Sequence, residues 1–154
     1  MGLTRPNHVR WWPGGAVGDM PPAPDPADGE ACEVICESNE LSVREMRVFS
    51  RDRLGRWCLA SEAADDIELV VSELVTNAVR HGRGPVRLRL TRSTRDVCVE
   101  VTGREQVVAA HRRAGPDDES GRGLLIVAAL SAAWGISADG RTVWSRIAVT
   151  EAGA

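Results

Sequence analysis

The stretch SELVTNAVRHG, from Ser72 to Gly82, decides the fold of this chain. Apolar residues recur through it at intervals of three and four, which is the pattern of an amphipathic helix with one buried face. Glu73 and Asn77 are four residues apart, so a helix places them about 40° apart on one flank of that face. A carboxylate and an amide are therefore predicted at the rim of the core. The apolar positions are Ile67, Val70, Val71, Leu74, Val75, Ala78 and Val79.

Each of these two polar residues has an ordinary and a functional interpretation. Most helix carboxylates are simply solvated, but Glu73 at this place can also be a general base that activates a hydroxyl or a water. Asn77 can be a surface amide, although asparagine inside a helix costs several tenths of a kcal/mol relative to alanine. Alternatively it ligates Mg²⁺, which prefers oxygen donors and keeps several waters.

A second motif, Glu119-Ser120-Gly121-Arg122-Gly123, precedes an apolar helical stretch. Two glycines before a helix are often only a flexible turn. The free N–H groups and the dipole at a helix N-terminus also bind phosphate, and glycine lets the oxygens approach the backbone. Arg122 then either contacts the phosphates or faces solvent.

Composition excludes several classes of function. The 154 residues fit one domain, and the net charge of -3 argues against direct nucleic-acid binding. No apolar run is long enough to span a membrane, so we expect a cytoplasmic protein. All 19 basic residues are arginine, which excludes P-loop and Schiff-base lysines. The four cysteines lack zinc-site spacing.

The chain divides into three segments. Residues 1–30 are rich in proline and glycine and are predicted to be a disordered tail that includes Trp11-Trp12. Residues 31–150 form the folded domain, and residues 151–154 are a short C-terminal tail.

Periodicity in the folded segment predicts an α/β two-layer sandwich, in which helices cover one face of a mostly antiparallel mixed sheet. The expected element order is β-α-α-β-β-α-β-β. The predicted elements are a strand at Cys32–Glu37, a helix at 41–54 capped by Ser42, a helix from Ser61 to about His81, strands at 86–90 and 97–102, a helix from Leu124 to Trp134, and a last hairpin turning at Asp139-Gly140.

Together, SELVTNAVRHG, ESGRGLLIV and GRTVW resemble the N-box, glycine box and closing strand of the GHKL superfamily of ATP-binding domains, whose architecture is called the Bergerat fold. The resemblance covers about residues 31–150. It is closest to the anti-sigma factor serine/threonine kinases of bacterial partner-switching systems.

The resemblance implies ATP and Mg²⁺ as cofactors. By it, Glu73 is the catalytic base and Asn77 the Mg²⁺ ligand, and residues 104–120 form a mobile lid over the nucleotide. The remaining nucleotide-binding positions that it implies are Gly121, Arg122 and Gly123 at the phosphates, and Thr142 and Gly103 at the adenine.

Gly103 departs from the family pattern, which has an aspartate there that accepts a hydrogen bond from the adenine amino group. The loss of such a bond weakens ATP binding by roughly 10- to 150-fold. Thr102 and Glu105 are the neighbouring residues that can partly replace the missing acceptor.

The resemblance implies a regulatory kinase that sequesters a sigma factor and phosphorylates an anti-anti-sigma antagonist of the STAS type. It also implies a homodimer. The alternative is a catalytically weak or inactive module of the same fold that regulates transcription by protein–protein interaction alone. The catalytic part of a two-component histidine kinase fits less well, because residues 1–60 contain no long dimerisation hairpin with a phosphoacceptor histidine.

Overall fold

The computed structural model describes residues 16–18, 30–81, 84–107 and 120–150. Within these ranges, helices pack on one face of a six-stranded sheet. The strands are β1 (Ala16–Gly18), β2 (Ala31–Cys36), β3 (Val86–Arg92), β4 (Asp96–Thr102), β5 (Ala133–Ser137) and β6 (Thr142–Ala148). The helices are α1 (Glu40–Arg56), α2 (Ser61–His81) and α3 (Ser120–Leu130). None of them is both long and apolar enough to cross a bilayer.

The strand order across the sheet is β1-β5-β6-β4-β3-β2. All neighbouring pairs are antiparallel except β1 and β5, which are parallel. The predicted α/β two-layer sandwich is thus confirmed.

Strand β1 was not expected, because it lies inside the segment predicted to be a disordered tail. It pairs Ala16 with Gly135 and Gly18 with Ser137. Three residues are too few to show the alternation by which a strand is recognised in sequence. The rest of that tail, including Trp11-Trp12, and the C-terminal residues 151–154 lie outside the described residues.

Helix α1 begins earlier than predicted, and Ser42 is not its N-cap. Asn39 is the cap: its backbone is extended and its side-chain oxygen accepts a hydrogen bond from the Ser42 N–H at 3.1 Å. Ser42 lies within the first turn, where its hydroxyl bonds to the Glu37 carbonyl. Both residue types are good caps, so composition alone did not decide between them.

Helix α2 buries the stripe that the sequence predicts. Ile67, Val70, Val71 and Val75 are fully buried and Leu74 is nearly so. They pack on the β3 and β4 side chains that face the helices, which are the alternate valines and leucines from Val86 to Val101. This packing fixes the rotation of α2 and therefore the direction in which its polar flank points. Gly82, the residue after α2, lies outside the described residues.

The third helix has the predicted length of 11 residues but begins and ends four residues earlier than predicted. It ends at Leu130, and Trp134 lies in β5 instead. Trp134, Gly135 and Ile136 are buried within that strand. Glycine at 135 disfavours a helix there, while the apolar run that includes Trp134 suits a helix and a buried strand equally well.

Candidate functional site

Helix α2 brings Glu73 and Asn77 against the start of α3. The glycine motif, Gly121-Arg122-Gly123, lies there. A Cβ built on Gly123 would be 2.6 Å from Oε2 of Glu73 and 3.6 Å from Nδ2 of Asn77. Gly123 itself is buried. The two motifs are about forty residues apart in sequence, yet they face each other where α2 packs on α3, a junction we call the cleft, and only glycine at position 123 leaves the carboxylate its present place.

Asn77 carries a buried polar group without a partner. Its Nδ2 is inaccessible to solvent and makes no hydrogen bond. Buried amides that lack a partner are rare and costly, by about 1–3 kcal/mol. Rotation of the amide exchanges Nδ2 and Oδ1 at nearly equal volume, so the same position can present the oxygen that a hard cation prefers.

Glu73 is half-buried, and within the described part of the chain its carboxylate makes no hydrogen bond or ion pair. It is therefore available to accept a proton. The preceding residue, Ser72, is held from α1: Arg47 donates to the Ser72 hydroxyl from Nε at 2.9 Å and also from Nη2. This contact joins α1 to α2 beside the carboxylate.

The glycine motif occupies the first turn of α3, since the helix begins at Ser120. Arg122 is exposed and Gly123 is buried against α2. The first-turn N–H groups of a helix have no intrahelical acceptors and favour an anion. Gly121 lies in that turn with Gly123. Glu119 and most of the predicted lid, residues 108–119, lie outside the described residues.

Thr142 lies on the other face of the sheet. Val143 is paired with Val101 in the core beneath the helices, so by strand alternation Thr142 and its partner Thr102 point away from them. Their hydroxyls bond to each other at 2.8 Å. The structure therefore does not bring the Thr142 hydroxyl to Glu73 and Asn77.

Gly103 follows β4 directly and continues its ladder, because its N–H donates to the Arg141 carbonyl at 3.0 Å. A Cβ at this position would meet no atom within 4 Å. The place is open, and a carboxylate introduced there would not clash at its Cβ.

Within the described part of the chain, two raised pKa values lie away from this cleft. On the face of the sheet opposite the helices, burial raises the pKa of Glu100, while Arg89 and Arg87 act to lower it. Burial and then the charge of Glu100 raise the pKa of the neighbouring Cys98 to about 12. These groups are separate from the cleft between α2 and α3.

The residues of the cleft fit a magnesium nucleotide. The fit rests on a buried amide without a partner, a carboxylate free to accept a proton, and a glycine whose missing Cβ leaves room between them. Asn77 would hold the metal through its side-chain oxygen, and the first turn of α3 would hold phosphate oxygens.

The fold is an α/β sandwich that brings Glu73, Asn77 and Gly123 together between α2 and α3. A family model described as the histidine kinase-like ATPase domain matches residues 36–147, well over half of the chain. The chain belongs to that family, which places it in the GHKL superfamily and supports ATP as its ligand. Comparison with curated proteins gave no match.

Two features of the site were not found from the sequence. The contact of Arg47 with Ser72 joins two helices and residues that are 25 positions apart. No local sequence pattern predicts such a contact. The position of Arg141 opposite Gly103 depends on the register between β4 and β6. The motif GRTVW drew attention to the threonine of that strand rather than to the arginine before it.

Proposed function

We propose that this chain is an anti-sigma factor-like serine/threonine protein kinase that uses Mg²⁺ and ATP. It sequesters a sigma factor and phosphorylates a serine or threonine of a STAS-type anti-anti-sigma antagonist. The apposition of Glu73 and Asn77 to Gly123 carries the proposal. The resemblance of the three motifs to that branch supports the choice of protein substrate. We place the protein in the cytoplasm and expect it to act as a homodimer.

Bound Mg²⁺ and ATP would supply a transferable phosphoryl group with its charge partly neutralised. The residues of the chain position and activate the acceptor. Glu73 takes the proton of the substrate hydroxyl through its unpaired carboxylate, and Asn77 would hold the metal through its amide oxygen. The first turn of α3 orients the phosphates, and Gly123 keeps the space beside Glu73 free.

A phosphotransfer assay tests the proposal. STAS-domain proteins of the host, expressed one at a time, are incubated with the full chain, Mg²⁺ and ATP labelled on its terminal phosphate. We expect phosphoserine or phosphothreonine on one of them. Glu73→Gln should lower the transfer rate by about 10²- to 10⁴-fold, the usual contribution of a general base, while nucleotide affinity stays unchanged. Transfer by Glu73→Gln at the parent rate would exclude Glu73 as the base.

A binding module without useful catalysis is the second candidate, and the open position at Gly103 favours it. Such a module would bind a sigma factor or a STAS protein in a pull-down by the tagged chain but would label none of them at millimolar ATP. Recovery of a sigma factor together with labelling of a STAS protein supports the kinase instead.

A further inference from the structure

The middle of the sheet face opposite the helices, here called the outer face, is buried. Val101 and Val143 face the helices, so by alternation their neighbours along β4 and β6 point to the outer face. No helix or strand of the described ranges lies on this face, and an uncovered sheet face is normally in contact with water. Four of its side chains are nevertheless at most 9% exposed, namely those of Thr91, Cys98, Glu100 and Trp144.

Two polar atoms on the outer face indicate what a covering segment has to supply. Nε1 of Trp144 and Oγ1 of Thr91 are inaccessible to solvent and have no hydrogen-bond partner within the described part of the chain. Buried polar groups are normally paired. An indole N–H only donates, and a hydroxyl donates or accepts. A backbone with free carbonyl oxygens would therefore satisfy both atoms.

Residues 19–29 connect the two opposite edges of the sheet, because β1 is the first strand of the order and β2 the last. Gly18 and Glu30 are five strand spacings and five residues along the strands apart, which is about 29 Å in a straight line. They are twelve positions apart in sequence, so the chain between them reaches at most about 43 Å. A helix layer is about 10–12 Å thick, so a route over the helices would need about 50 Å. The outer face offers a route that is short enough.

The straight line between these two points crosses the buried middle of the outer face. Strand β1 ends level with Ser137, and β2 begins level with Cys98, four residues away along the strands. The row of paired residues halfway between these levels contains Glu100 and Trp144. The shortest path of the segment therefore passes over the side chains that are buried.

The composition of residues 19–29 suits this position. Their sequence, DMPPAPDPADG, contains four prolines and three aspartates and no basic residue. Proline-rich chains favour the polyproline II conformation, which rises about 3.1 Å per residue and leaves its carbonyl oxygens free. Aromatic side chains are a common docking surface for it. The aspartates also complement the charges of Arg87 and Arg89, which β3 presents on the same face.

We propose that residues 19–29 cross the outer face as an extended segment and dock on Trp144, where one of their carbonyl oxygens accepts the hydrogen bond of the indole N–H. The segment thereby covers Cys98 and Glu100 and joins the two edges of the sheet. The middle of the outer face is then occupied by the chain itself and is not free for a partner protein.

Disulfide trapping in the full chain tests the path of the segment. Residue 25 is about three-fifths of the way along it, level with β4. The variants Pro24→Cys, Asp25→Cys and Pro26→Cys sample all sides, because polyproline II has three residues per turn. Oxidation should join at least one of them to Cys98 within one molecule, as mass spectrometry would show. Asp19→Cys is the matched control and should not pair with Cys98, since three strand spacings, about 14 Å, separate them. Failure of all three variants to pair with Cys98 overturns the proposal.

Alkylation of the native cysteines tests the covering itself. Residues 19–29 are replaced by a glycine–serine linker of about twice the length, which can pass around the helices. Alkylation of Cys98 should then become at least about tenfold faster, because thiol reactivity follows exposure and pKa. Cys32 and Cys36, which pack against the core on the helix side of β2, should react as in the parent.

Unchanged alkylation of Cys98 in the linker variant overturns the proposal. So does protection of Cys98 that the parent loses on dilution, which would assign the outer face to a second copy of the chain. If Cys32 and Cys36 also react faster, the variant has opened its core, and the disulfide experiment decides.

Discussion

At the scale of single residues, the site depends on the absence of a side chain at Gly123. Oε2 of Glu73 occupies the space that a Cβ of residue 123 would need. The carboxylate is the end of a flexible side chain, so an added methyl group would displace it rather than unfold the helices. The function of the site and the stability of the fold are therefore separable at this position.

Gly123→Ala should abolish most nucleotide-dependent activity while the protein stays folded. Displacement of the base should cost about 10²-fold or more in phosphotransfer rate. The unfolding free energy should change by no more than about 1 kcal/mol, since alanine also favours a helix by that amount. Gly55→Ala in α1 is the matched control, because its Cβ would meet no atom within 4 Å. Full activity of Gly123→Ala would show that Glu73 does not need its present position.

At the scale of elements, the caps determine where helices begin. Asn39→Ala removes the acceptor of the Ser42 N–H at the start of α1 and should destabilise the protein by about 1 kcal/mol. Urea unfolding of the parent, Asn39→Ala and Asn39→Ser measures this. The serine variant should keep most of the stability, since serine is an equally good cap. If alanine and serine behave alike, the cap does not contribute as described.

Sequence periodicity predicted α2 well, because its long stripe of apolar residues has to be buried against the sheet. The same burial fixes the direction in which the Glu73 and Asn77 side chains point. Periodicity failed at Trp134, where a short apolar run suits a helix and a strand alike. The side of the sheet on which Thr142 lies follows from the register of β6 with β4. The alternation of Val143 and Ile147 as core residues of β6 already fixes that side, since the hydrophobic pattern of a strand with one buried face sets its register.

At the scale of the whole molecule, the face of the sheet opposite the helices contains one buried carboxyl group, that of Glu100, within a cross-strand row of charged residues. Glu100 is 9% exposed and is paired with Arg89 on β3 and with Trp144 on β6. Burial raises its pKa above the ordinary value of 4.5. The folded protein therefore holds this proton more tightly than the unfolded chain, and the resulting stabilisation is complete below that value.

Stability should accordingly fall as the pH rises through the folded-state pKa of Glu100, above 4.5. Glu100→Gln cannot ionise, so its unfolding free energy should decline less over this range. Urea unfolding from about pH 4 to about pH 8 compares the parent and the variant, with the exposed Glu33→Gln in the same cross-strand row as control. Parallel pH profiles for parent and Glu100→Gln would contradict the assignment.

The most direct measurement is calorimetric titration of the parent and of Asn77→Ala with ATP, with Mg²⁺ and with EDTA in its place. The predicted result is binding by the parent that Mg²⁺ strengthens, and loss of that strengthening, roughly tenfold or more, in Asn77→Ala. Equal affinities of the two proteins, unaffected by Mg²⁺, would contradict the nucleotide site between α2 and α3.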